Sequence, residues 1–117
     1  MPRRDWQFRV GHIIEAIEKI ADYTRGMSFD EFALDSLTVD AVLRNLEIVG
    51  EAARNVPRVF KEEHPEVPWR EMNAIRNVVA HHYFHIELDI IWDTVQNNLP
   101  PIASALGSIV ESEGNAE

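Results

Sequence analysis

The chain has 117 residues, 45% hydrophobic and 26% charged, which bounds it to one ordinary globular domain burying roughly two-thirds of its unfolded surface. No apolar run approaches the ~20 residues that span a bilayer and no signal-peptide pattern opens the chain, so a cytoplasmic location without membrane contact is expected. The absence of cysteine excludes disulfides and cysteine-ligated metals, and a net charge of −9 argues against a general nucleic-acid binder, whose affinity comes from neutralising phosphates.

Asp5 to Arg25 repeats apolar residues at Trp6, Val10, Ile13, Ile14, Ile17, Ile20 and Ala21, a helical period with one oily stripe. Gly26 is placed to end it. Ser28-Phe29-Asp30-Glu31 matches a capping box and opens a short helix carrying Phe29, Phe32 and Ala33. Leu37 to Val56 reads as the second long helix, capped by Asp35 or Ser36, with Val39, Val42, Leu43, Leu46, Val49, Ala53 and Val56 inward. Pro57 suits the first turn of a short helix through Phe60, and two prolines in His64-Pro65-Glu66-Val67-Pro68 make a loop. His64 reads as an exposed loop residue, and Trp69 and Trp92 as core or interface anchors.

Pro68 starts a helix through Ile75 and Val79, after which the chain is expected to turn around His82 to His85. Ile86 to Leu99 is the last long helix, with Leu88, Ile91, Trp92, Val95 and Leu99 inward, and Asp89 and Asp93 favoured by its dipole. Pro100-Pro101 should kink or break it before Ile102 to Val110 resumes the pattern. Nothing alternates with period two for long enough to make a strand. The expected fold is an all-α, up-and-down helical bundle over residues 1–110, followed by a flexible acidic tail over 111–117.

The chemistry concentrates in Arg76-Asn77-Val78-Val79-Ala80-His81-His82-Tyr83. A fixed guanidinium beside an imidazole can hold a phosphate and move a proton, which suffices to cleave RNA without a metal. Arg76 and Tyr83 are seven apart and share a helical face, whereas Arg76 and His81 are separated by about 140° around a straight helix. Either the helix unwinds before His81, or the second residue comes from another subunit. A two-fold contact through this helix would bring two Arg76 and two His81 together, and that arrangement is favoured.

Blander readings stand beside this one. Arg76 and Asn77 could be a helix-end pair bonding carbonyls or a carboxylate, and Tyr83 a bundle aromatic. His81 and His85 have zinc-compatible spacing, but no third ligand is evident and no metal site is expected. Glu47 and Glu51, flanked by Arg44 and Arg54, read as a solvated or ion-paired face. Arg54, Arg58, Arg70 and Arg76 could form a local positive pocket on the acidic body, which could equally dock onto a basic protein.

Three further segments carry a resemblance. Ala41-Val42-Leu43-Arg44-Asn45-Leu46-Glu47-Ile48-Val49-Gly50-Glu51-Ala52-Ala53 resembles the central helix of HepT-like proteins of the HEPN superfamily. Pro68-Trp69-Arg70-Glu71-Met72 with Ile75-Arg76-Asn77 resembles the entry to their motif helix. Leu88-Asp89-Ile90-Ile91-Trp92-Asp93-Thr94-Val95 with Leu99-Pro100-Pro101-Ile102 resembles their last helix. The match covers roughly residues 5 to 110 in order.

The resemblance implies a homodimeric HEPN bundle with metal-independent endoribonuclease activity and no cofactor, acting on RNA as the toxin of a toxin–antitoxin pair. It implies a partner, an MntA-like nucleotidyltransferase antitoxin that attaches AMP to the motif tyrosine. Carried onto this chain, Arg76 and His81 are the catalytic pair, Asn77 and His82 support them, and Tyr83 is the modified residue. His82 departs from the family pattern, which has a small residue there, often glycine. The competing expectations are a non-catalytic substrate-binding or interaction subunit of a nucleotidyltransferase, and an inactive dimerisation protein.

Overall fold

The helical period along the chain becomes seven α-helices and one π-helical segment among the described residues, with no strand. A computed structural model describes residues 3–84 and 87–115, with side chains described for 6–80 and 87–113. The elements are α1 (Arg3–Thr24), α2 (Phe29–Leu34), α3 (Ser36–Arg54), α4 (Arg58–Glu63), α5 (Trp69–Phe84), α6 (Leu88–Asp93), a π segment (Thr94–Asn98) and α7 (Leu99–Asn115). The result is an all-α bundle in which α3 packs between α1 and α5, and α7 lies against α1. None of the helices is long and apolar enough to cross a membrane.

Local chemistry accounts for the ends of the elements. Gly26 sits at φ +76, a left-handed conformation that glycine adopts without a Cβ penalty, and the chain reverses there after α1. The Ser28 hydroxyl accepts from the backbone N–H of Glu31 at 3.2 Å, while the Ser28 N–H donates to the Glu31 carboxylate at 2.9 Å. That reciprocal pair nucleates α2 despite its length of six residues. Asp35 caps α3, accepting from the Thr38 N–H at 3.1 Å and the Thr38 hydroxyl at 2.9 Å.

Burial follows the expected stripes with instructive exceptions. Every apolar residue assigned inward on α3 is buried, and on α1 Trp6, Val10, Ile13, Ile17 and Ile20 are buried too. Ile14 is only partly covered and Ala21 is exposed, because α1 has two helices to pack against and its covered stripe instead takes in Ala16 and Thr24. The Thr24 hydroxyl satisfies itself by donating to the Ile20 carbonyl at 2.9 Å. Trp6 stacks on Phe60 at 4.6 Å between ring centroids, fastening α4 to the start of α1. Phe32 is fully buried and meets the half-buried Trp92 at 5.1 Å, which anchors α2 to α6.

Three expectations change. Of the turn expected around His82 to His85, positions 82 to 84 are helical because α5 continues through Phe84, and His85 lies outside the described residues. Pro100-Pro101 does not break the last helix. The preceding turn widens into the π segment, where the Leu99 N–H bonds the Thr94 carbonyl, and the prolines enter α7 in its first turn, where an N–H is dispensable. His64 is not freely exposed: its side chain retains 18% exposure, its ring lies 4.5 Å from that of Phe60, and its carbonyl accepts from the Trp69 indole at 3.0 Å.

The Asp35 cap makes a pH-dependent prediction. The Thr38 N–H and then the Thr38 hydroxyl hold the Asp35 carboxyl below its ordinary pKa. A depressed folded pKa adds stability above the unfolded value, and that stability disappears as pH falls through the folded value. Denaturant unfolding of the wild type and Asp35→Asn should therefore differ at neutral pH, with the wild type more stable, and the difference should shrink as pH falls below the ordinary carboxylate range.

Candidate active site

The crossing of α3 and α5 puts Arg76 against Gly50. A Cβ built on Gly50 would collide with Arg76 Cγ and would lie 3.3 Å from its Cδ, so the arginine stem occupies the space a side chain would take. Gly50 is fully inside a helix, where glycine costs about 1 kcal/mol relative to alanine. The close approach is the compensation.

The head of Arg76 is held from the next residue of α3. Glu51 Oε2 lies 3.7 Å from Arg76 Nε, while Glu51 Oε1 lies 3.9 Å from Arg54 Nη1 and accepts from Asn55 Nδ2 at 3.3 Å. Both carboxylate oxygens are thus engaged. The Arg76 side chain keeps 46% of its exposure, so this ion pair contributes little stability, at most ~1 kcal/mol. Its effect is orientation. The contact uses Nε, and the two terminal nitrogens have no partner among the described residues.

Arg76 and Asn77 open onto a groove of about 440 Å³ between α3 and α5, whose other lining residues are Glu47, Asn73, Val79 and Ala80. Val79 is buried and forms the apolar floor. Of the residues singled out in the sequence, the structure thus brings Arg76 and Asn77 to one groove. The side chains of His81, His82 and Tyr83 lie outside the described residues, as does His85. The backbone of α5 nevertheless runs unbroken from Trp69 to Phe84, which removes the alternative of unwinding before His81. Arg76 and His81 are therefore separated by about 140° of helical register within one chain.

The arginines assigned to a local positive pocket mostly have carboxylate neighbours. Arg54 and Arg76 share Glu51, and Arg58 lies 3.5 Å from Glu62. Arg76 alone of these lines the groove. Among the described residues no group of three or more His, Cys, Asp or Glu side chains could hold a metal ion.

Gly50, Glu51, Glu47 and Asn73 were not singled out as site residues by sequence reasoning. Glu47 and Glu51 were read as a surface pair, and the structure separates them: Glu51 is ion-paired, Glu47 faces the groove. Gly50 carried one signal, an isolated glycine inside a helical pattern, but Gly11 and Gly107 share that signal and have open space where a Cβ would stand. Nothing local marked Asn73.

An all-α bundle that sets an arginine and an asparagine of one helix on a groove beside the central helix is consistent with a HEPN-type protein. The chain belongs to the ribonuclease HepT-like family, whose model matches residues 13–109. It is 41% identical over 118 residues to a Methanocaldococcus jannaschii protein with the provisional name RNase MJ0127, covering 100% of this chain and 98% of that one. A Thermococcus cleftensis protein provisionally named ribonuclease HepT is 46% identical over 90 residues, 77% of this chain and 82% of its own. A third relative, provisionally RNase TTE0752 of Caldanaerobacter subterraneus, is 35% identical over 102 residues, 87% of this chain and 91% of its own. No solved structure matches the chain.

The Gly50–Arg76 contact predicts a reversal of sign. Gly50→Ala should destabilise the protein by about 1–3 kcal/mol through overpacking, although alanine is the better helix former. In an Arg76→Ala background the same substitution should become neutral or stabilising by up to ~1 kcal/mol. A double-mutant cycle by urea denaturation measures both values.

Proposed function

We propose that the protein is a metal-independent endoribonuclease toxin whose active site is completed by pairing two copies through α5. The observation that carries this reading is Arg76, pinned at Nε and open at its terminal nitrogens, on a helix that runs unbroken past position 81. One chain cannot aim Arg76 and His81 at the same phosphate along a straight helix. A two-fold axis beside α5 would let arginine and imidazole of opposite subunits converge, because isologous contacts pair a patch with itself. Membership of the ribonuclease HepT-like family supports the RNA-cleaving assignment.

The chemistry follows from the groups. One His81 imidazole removes the proton of the RNA 2′-hydroxyl, and the oxygen attacks the adjacent phosphorus. The other His81, protonated, delivers a proton to the departing 5′-oxygen. Arg76 stabilises the extra negative charge on the phosphorane-like transition state, where electrostatic help has most effect. Asn77 and His82 support the placement of substrate and catalytic groups.

Silencing uses the same layout. A nucleotidyltransferase antitoxin transfers AMP from ATP to the Tyr83 hydroxyl, which loses its proton as pyrophosphate departs; Tyr83 is on one helical face with Arg76 and seven residues further on. The phosphodiester so introduced occupies the anion site and repels RNA. A second reading, a non-catalytic subunit that presents a substrate to that transferase, is favoured only by the net charge of −9, which opposes attraction of a polyanion.

Purified protein should cleave RNA in the presence of EDTA, with a bell-shaped pH profile around the imidazole range, pH ~6–7. Arg76→Ala and His81→Ala should each reduce cleavage by about 10²-fold or more. Tyr83→Phe should keep cleaving and escape silencing on co-expression with the antitoxin. Unchanged cleavage by His81→Ala, or a monomer in sedimentation, would overturn the proposal.

A further inference from the structure

Three polar side chains around the Arg76 groove are uncommitted. Glu47, Asn73 and Asn77 all line it, and none has a hydrogen bond or ion pair among the described residues. Three other asparagines of this bundle behave differently, while exposed Asn98 is as uncommitted as Asn73 and Asn77. Asn45 donates to the Ala41 carbonyl at 2.9 Å, Asn55 to the Glu51 carbonyl at 2.9 Å, and Asn97 to the Asp93 carboxylate at 2.6 Å, each one turn back on its own helix. In the hollow between α1 and α3, Lys19 is paired to Glu15 at 3.2 Å and Asn45 is bonded as above, leaving only the His12 imidazole without a hydrogen bond among the described residues. The groove beside Arg76 stands apart in offering one acidic and two amide side chains with free capacity.

We propose that this groove is a nucleobase subsite selective for guanine, with Glu47 reading the base and Asn73 and Asn77 supplementing it. The proposal rests on the reading that Arg76 engages an RNA phosphate. An ionised carboxylate only accepts, and through two oxygens. Among the four ordinary RNA bases, guanine alone presents two adjacent donors on its Watson–Crick edge, N1–H and N2–H. Adenine and cytosine place an acceptor nitrogen beside their amino group, and uracil flanks its single donor with two carbonyls. Glu47 therefore pairs fully with guanine and meets a repelled lone pair on every other base.

The amides complete the match. Asn73 and Asn77 are one turn apart on α5, and their Nδ2 groups can donate to guanine O6 and N7. Single-stranded RNA exposes these edges for reading. Buried Val79 and the small Ala80 leave room and an apolar surface for the ring face, within a volume of about 440 Å³. Glu51, which pins Arg76, lies one turn along α3 from Glu47, a rise of about 6 Å. Phosphate and base recognition thus fall within the span of one nucleotide.

A negative charge beside a phosphate site weakens binding of RNA in general. Its cost is recovered only when a base offers two donors, so Glu47 selects by penalising wrong partners as well as by rewarding the right one.

Calorimetric titration of the full chain with the four nucleoside 3′-monophosphates tests this directly. The wild type should bind guanosine 3′-monophosphate about 10- to 100-fold more tightly than the other three. Glu47→Gln keeps size but presents a donor to a donor edge, and should erase that preference. Arg76→Ala should weaken all four nucleotides alike. Glu47 is exposed, and thermal melting followed by circular dichroism confirms that the variant remains folded. Cleavage of oligoribonucleotides randomised on both sides of the scissile bond should show guanine enrichment on one side, lost in Glu47→Gln. Equal binding of the four nucleotides by the wild type, or a guanine preference that survives Glu47→Gln, overturns the subsite. Cleavage without base preference sinks the subsite and leaves the ribonuclease standing, whereas Glu47-dependent guanine binding without any cleavage does the reverse.

Discussion

The approach of α5 to α3 at Gly50 is the constraint on which the site depends. Where a helix crosses another through ordinary side chains, the axes stand 8–10 Å apart and a long polar side chain at the contact is pushed outward. Here the missing Cβ lets the Arg76 stem lie down on the backbone of α3. The aliphatic part is then packed and only the guanidinium remains to be placed. Glu51 does that from the adjacent position, itself tied by Asn55 and Arg54. An arginine has a large rotamer entropy to lose on holding an anion, and a stem already packed leaves less of it to be lost on binding.

The bundle was largely legible from the chain because its determinants are local and periodic. The buried face of α3 repeats at helical spacing from Val39 to Ala53, and the capping box at Ser28 and the left-handed Gly26 mark the ends of elements. What failed to be legible involves competition between local preference and tertiary context. Two consecutive prolines read as a helix break, yet the hydrophobic residues on either side, Val95, Leu99, Ile102 and Leu106, all need the same core. A π turn resolves the conflict by spending one extra residue before the prolines, which keeps both stretches on one face. His64 read as loop surface because its neighbours Glu63 and Pro65 are polar or helix-breaking, but the chain folds back there and Phe60 and Trp69 cover it.

The site divides along the same line. Arg76 and Asn77 belong to one motif on one helix and could be nominated from the chain alone, whereas the groove they share is formed with Glu47 of α3 and was not readable there. Gly50, Glu51 and Glu47 act from the other side of an interhelical crossing, and no pattern within α3 states which of its turns meets α5. Only the glycine hinted at it. The sequence also left two ways for Arg76 and His81 to meet, and the continuity of α5 removes the one that a single chain could have supplied.

Charge explains why such a site suits selective chemistry better than tight retention of RNA. A net charge of −9 opposes the approach of any polyanion, and over distances beyond about 8–10 Å that repulsion is screened at physiological salt. On the proposed reading, attraction is therefore confined to the last ångströms, at Arg76. Even there its positive charge is partly offset by Glu51, while Arg54 shares the same carboxylate. Such a balance of charge gives little sequence-independent affinity for RNA. Discrimination then falls to short-range contacts in the groove, where polar side chains with unused hydrogen-bonding capacity have the largest influence.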